Sequence, residues 1–259
     1  MLIVPPAVEL IFSFTLVVSS ASVEGKSRCI LALDGLAFFL LALTDFLAHI
    51  VPSISTSLHA FSIVDTVIAA ASLLPLLFYT LFLFLFARSS LIPSLPSRFS
   101  RVVTVSLFLA IPATLITNEL SSLIGLTHTS LPPAPNTQTP PTLEVGFSTH
   151  FHQRLSLFFS ATCLVLLTLF QLLLFMLAFV RLARGFIDER RIESARRENP
   201  SGREEIHLFR GVGWLTAGLK LGAIESAVGF ANTSFGVAIT RRTLRLFSRG
   251  TVIIGVMKG

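Results

Sequence analysis

Long unbroken runs of apolar residues, separated by short polar segments, dominate this chain. They cover about residues 2–23, 29–51, 59–86, 102–126, 155–180 and 211–239. A helix in water carries one apolar stripe, so runs of this length that are apolar all round belong in lipid. Hydrocarbon offers a backbone no hydrogen bonds, which restricts spanning segments to helices and closed barrels. A barrel would show dyad alternation in segments of roughly ten residues, and none is found. The pattern predicts an all-α fold, a polytopic transmembrane helical bundle with six spans in a single domain.

The segments differ in detail. The first run has no Lys or Arg ahead of it and carries Glu9, so it reads as a retained helix and not a secretory signal, although Ser20-Ala21-Ser22 has the small residues of a cleavage site. The third contains Pro75 and the fourth Pro112, each expected to kink a single span. Residues 127–153 hold Pro132, Pro133, Pro135, Pro140 and Pro141 among Thr, Ser and Asn, the composition of an exposed loop of extended character. Residues 185–210 alternate acids and bases and read as a solvated connection. Its first half continues the fifth helix and ends at Pro200-Ser201-Gly202.

Composition agrees with this picture: 53% of residues are hydrophobic and 13% charged, against roughly 45–50% and about 25% in soluble domains. The net charge of +6 sits in short segments between apolar runs, where it sets topology and argues against nucleic acid as a partner. The basic connections are one-to-two, three-to-four and five-to-six. Positive-inside reasoning then places the N-terminus and the Pro-rich loop outside or lumenal, and 185–210 in the cytoplasm, in a plasma or endoplasmic-reticulum membrane.

Six spans would leave Arg241, Arg242, Arg245 and Arg249 on the wrong side. Either a marginal seventh helix covers about 235–257, with its arginines snorkelling or facing protein, or an earlier run does not cross, or the tail lies on the surface as a basic amphipathic helix. The seventh helix is the preferred resolution. Asn232-Thr233-Ser234 is an N-glycosylation pattern on the expected outer side.

Ionisable groups inside a bilayer cost about 2.5–3.5 kcal/mol each at mid-span, so they mark candidate sites. Asp34 and Asp45 are eleven residues apart and share a helix face, with His49 four residues beyond Asp45. With Asp65, Asn118, Glu119 and Glu225, the pair Asp45 and His49 could line an outward-facing vestibule for an unknown small ligand. The competing reading is interhelical hydrogen bonding or simple hydration of helix ends. Lys220 could pair with Asp34 if they share a depth. Gly218, Gly222 and Ser226 form a small-residue face for close helix packing, within the bundle or as a homodimer seam through the sixth span.

Cys29 and Cys163 form no motif, no metal-ligand spacing occurs, and no phosphate-cradling glycine loop or nucleophile elbow is present. No metal and no cofactor is therefore expected. Retinal would suit a lone late lysine such as Lys220, but Trp214 and Tyr79 alone supply little of an aromatic pocket.

The stretches Ile30-Leu31-Ala32-Leu33-Asp34-Gly35-Leu36, Asn118-Glu119-Leu120-Ser121-Ser122-Leu123 and Leu208-Phe209-Arg210-Gly211-Val212-Gly213-Trp214 resemble uncharacterised multi-pass membrane proteins of mushroom-forming fungi, a resemblance that implies no activity. The topology is similar to that of seven-helix receptors, yet Phe86-Ala87-Arg88 stands where Asp-Arg-Tyr would follow the third span, and no Asn-Pro-x-x-Tyr occurs. The expected function is a receptor-like or sensor-like bundle. The alternatives are a small-solute or proton-coupled transporter, and an enzyme embedded in the membrane that acts on a lipid or terpenoid with Glu119 or Asp65 as general acid.

Overall fold

The structure, a computed structural model, describes residues 3–18, 25–131, 142–198, 209–230 and 235–258. In chain order the helices are α1 (Val4–Val18), α2 (Gly25–Ile50), the single turn α3 (Pro52–Ser55), α4 (Leu58–Ala71), α5 (Leu73–Phe86) and α6 (Ser97–Leu123). A hairpin of β1 (Leu126–Leu131) and β2 (Thr142–Phe147) follows, then α7 (His150–Glu198), α8 (Phe209–Val228) and α9 (Phe235–Lys258).

Among the described residues, four helical segments are long and apolar enough to cross a membrane: Arg28–Ile50, Leu58–Leu91, Ser97–Leu123 and His150–Ile187. They coincide with the runs at 29–51, 59–86, 102–126 and 155–180. The expectation of six such spans is corrected to four, for two reasons. Of the run 2–23 the described helix α1 covers 15 residues, about 22 Å at ~1.5 Å per residue, and residues 19–23 lie outside the described residues. The run 211–239 is not one helix: α8 stops at Val228, a turn follows through Phe230, and α9 begins at Phe235. The glycosylation pattern at Asn232 and the break at Pro200 lie outside the described residues.

Pro75 acts where expected. Lacking an N–H, it cannot bond the carbonyl four residues back, and the span breaks at Ser72 between α4 and α5. At its far end the span runs on through a π-helical turn, Ala87–Leu91. Pro112 is accommodated inside a continuous α6.

Each segment packs on the next, α1 on α2, α2 on α4 and α5, α5 on α6, α6 on α7, α7 on α8 and α8 on α9. Contacts of α9 with α1 close the ring. At one end lie the C-terminus of α2, α3, the start of α4 and the hairpin; at the other, Arg28 donates to the Val256 carbonyl oxygen. Thus α9 runs antiparallel to α2.

Polarity is inverted relative to a soluble protein. Phe108, Leu109 and Ile116 of α6 and Leu157, Phe158 and Leu169 of α7 are exposed, while Glu9, Asp34, Gln171, Ser226 and Ser248 are buried. Outward apolar and inward polar side chains suit a helix ring surrounded by lipid. An apolar core of Tyr79, Phe82, Leu83, Leu107, Leu174, Leu219 and Val252 fills the half of the ring away from the hairpin.

The segment 127–153, expected as a loop, is ordered at both margins. Leu126 pairs with Phe147 and Leu131 with Thr142 in an antiparallel register, so the all-α bundle carries one two-stranded cap. Gly125 makes the bend into β1 at φ +66°, and a Cβ there would collide with the His152 ring. Its carbonyl accepts from the Ser148 N–H at 2.9 Å. The proline-dense residues 132–141 lie outside the described residues.

Candidate functional site

The polar centre of the ring is built by α9. Arginines at 242, 245 and 249 follow a three- and four-residue spacing that puts them on one helix face, with Arg241 and Arg245 four apart beside them. That face turns inward.

Asp34, fully buried on α2, receives two of them. Its Oδ1 accepts from Arg245 Nη2 at 2.9 Å, and its Oδ2 accepts from Arg249 Nε at 2.9 Å. Glu9 of α1 is almost as buried, and its Oε2 accepts from Arg245 Nε at 3.3 Å. Gly35 allows this convergence: a side chain there would strike Ser13, so glycine lets α1 lie this close to α2. Two aromatic rings complete the cradle. Arg245 Cζ lies 3.7 Å from the Phe38 ring centroid and Arg249 Cζ 3.0 Å from that of Tyr79. Arginine stacks on such faces more readily than lysine does.

The opposite wall comes from α8 and α7. Gly218 of α8 sits against Val252, Thr251 and the Ser248 carbonyl of α9, where an added Cβ would come within 2.6 Å of Val252. Gly222 faces Ser248, Gln171 and Tyr79. Ser226 donates to Gln171 Oε1 at 3.1 Å, and Ser248 donates to the Gly218 carbonyl at 2.9 Å. The small-residue face therefore serves packing between α8 and α9 inside one chain.

Between these walls lies a chamber of about 330 Å³. It extends from Asp45 and Arg242 towards Tyr79 and Arg249, some seven residues or about 10 Å along α9. Ser72, freed at the α4–α5 break, lines it and accepts from Asn118 Nδ2 at 3.1 Å. Arg249 Nη1 and the Tyr79 hydroxyl are buried without a hydrogen-bond partner, and both residues line the chamber. An unmet buried donor costs about 1–3 kcal/mol.

The sequence-predicted residues separate into two groups. Asp45, Asn118 and Glu225 line the chamber. Asp45 is 45% exposed at its mouth, with Arg242 Nη2 4.0 Å away. His49 does not line it; its side chain is 67% exposed and stands 3.6 Å from Asp45. Asp65 binds the hairpin instead, where its Oδ2 is 2.8 Å from His128 Nε2, while His128 Nδ1 is 3.1 Å from Ser62 Oγ. Glu119 lies outside the chamber, with Oε1 buried and unpartnered. Lys220 is exposed on α8, and the notion that it pairs with Asp34 is corrected: Asp34 is taken by two arginines.

Residues that sequence reasoning passed over are Glu9, Tyr79 and Gln171, together with the inward role of the four arginines. The available signal was numerical. Four arginines in one short helix beside three unexplained acids in early spans could have been balanced against each other. No group of three or more potential ligand side chains suited to a metal ion occurs among the described residues. No family model, curated protein or solved structure matches the chain.

Proposed function

We propose that the protein is a multi-pass bundle of seven membrane segments, α1, α2, α4–α5, α6, α7, α8 and α9, that works as a receptor or sensor and binds a small ligand in the α2–α9 chamber. The N-terminus, the hairpin and the Pro-rich loop are then outside, and the charged connection 185–210 is cytoplasmic. One observation carries this reading: the ring bounds a cavity of about 330 Å³ on which Asp45, Asn118, Glu225 and Arg241 converge from four different helices. A bundle held together by hydrogen bonds alone has no need of such a space, whereas concave sites with a few converging polar groups are where small molecules bind. Pairing of Arg242, Arg245 and Arg249 with acids on α1 and α2 supports a crossing α9, since it offsets the cost of cations in lipid.

A transporter is the second reading, favoured by the helix break at Ser72 in the chamber wall, because broken helices mark transporter sites. One experiment separates the two. With Cys29 replaced by Ser, Cys163 and an introduced Leu41→Cys place thiols on opposite chamber walls. Membrane-impermeant thiol reagents are then added to either side of sealed vesicles. A sensor predicts reaction from the hairpin side alone; reaction from both sides indicates alternating access. Failure of both thiols to react from either side sinks the chamber reading.

A further inference from the structure

The charges around the chamber form a matched set with one pair left over. Arg245 is held by Glu9 and Asp34, Arg249 by Asp34, and Arg242 lies beside Asp45. Three guanidiniums thus stand with three carboxylates. Arg241 and Glu225 remain, on α9 and α8, both lining the chamber. Neither has an ion-pair partner within 4 Å among the described residues, and Arg241 Nε is buried without a hydrogen bond. Glu225 acts on Arg245 through space without touching it.

A ligand with a single charge would leave one member of that pair uncompensated, whereas a dipolar ion completes both. The donors sort the same way. Arg241 offers N–H groups to an anionic group, and Glu225 offers only acceptor oxygens, which suit an ammonium. Phe38, Leu41, Ile68, Leu76, Leu164 and Leu167 supply apolar wall for a hydrocarbon body. A volume of about 330 Å³ stands at the small end of the roughly 300–1,000 Å³ typical of ligand sites.

We infer that the chamber binds a small zwitterion with an apolar body, of the apolar amino-acid class, its carboxylate on Arg241 and its ammonium on Glu225. This rests on the chamber being a ligand site, as proposed above.

The test uses the full chain in nanodiscs, with Cys29→Ser, and reads both the thermal shift and the protection of Cys163 from alkylation. Three probe mixtures are compared: L-leucine, L-methionine and L-phenylalanine; their deaminated acids; and their decarboxylated amines. The zwitterions are expected to bind at least tenfold more tightly than either single-charge set. Glu225→Gln is expected to erase the advantage over the acids, and Arg241→Gln the advantage over the amines. Equal binding of acids and zwitterions, unaltered in Glu225→Gln, overturns the inference. Alkylation of Cys163 that no probe slows also overturns it while leaving the chamber itself standing. A Cys163 that never reacts, with no thermal shift from any probe, removes both.

Discussion

The α4–α7 side of the ring and the α1–α2–α9 side are held by opposite means. The spans α4–α5, α6 and α7 are at home in lipid by composition, and among the described residues their mutual contacts are apolar or hydrogen bonds without an ion pair, such as Asn118 to Ser72, Ser156 to the Ser121 carbonyl and Arg181 to the Ser90 carbonyl. On the other side, α9 is not apolar enough to count as a span, and it keeps its place through Asp34 and Glu9. The first side is placed by solvent, the second by partners. A substitution that is harmless on one side is therefore costly on the other.

The largest expected effect breaks the second side. Asp34→Asn strands two buried guanidiniums and should destabilise the protein by about 3–5 kcal/mol, the usual penalty for removing one member of a buried ion pair. Thermal unfolding in detergent reads this as a large fall in midpoint. Replacing Glu9, Asp34, Arg245 and Arg249 together by Leu or Met should restore most of the loss; if Asp34→Asn alone unfolds like wild type, the arginines are hydrated and the contrast between the two sides fails.

Next in size is the packing of α8 on α9. Gly218→Leu must push Val252 and the Ser248 backbone apart, at a cost of about 1–3 kcal/mol. Gly213→Ala on the same helix meets open space and should stay within about 0.5 kcal/mol. Equal midpoints for the two variants would mean that α8 and α9 do not meet through this face. Smaller again is the hairpin clasp. Asp65→Asn weakens the link to His128 and should cost about 1 kcal/mol, seen as faster amide exchange in β1 with no change elsewhere. The smallest is Asp45→Asn, where an exposed contact at 4.0 Å predicts less than about 0.5 kcal/mol in the same unfolding assay.

Sequence made the first side legible and the second nearly opaque, for one reason. Hydropathy is a local property, so the three spans of the first side, α2 on the second and the kink at Pro75 could be read from windows of some twenty residues, whereas the pairing that holds α9 could not. The Asp34 site joins positions 9, 34, 245 and 249, and nothing local marks the partnership. Arginines after an apolar run look like a topology signal, and that rule hides their pairing with Asp34 and Glu9. Of the polar candidates, Asp45, Asn118 and Glu225 reach the chamber because their faces turn inward. His49 and Asp65 belong to the hairpin end, a distinction of helix rotation that residue type alone does not carry.

The double engagement of Asp34 also bears on how the chain is made. Each arginine of α9 costs about 2.5–3.5 kcal/mol to insert alone, so this helix enters a bilayer poorly by itself. Its acceptors, Glu9 and Asp34, are synthesised more than two hundred residues earlier and must wait, uncompensated, until α9 emerges. Assembly is thereby timed by charge: the first-made helices are a receptive groove for the late one, and a nascent chain stalled before α9 displays two naked acids that mark it as unfinished.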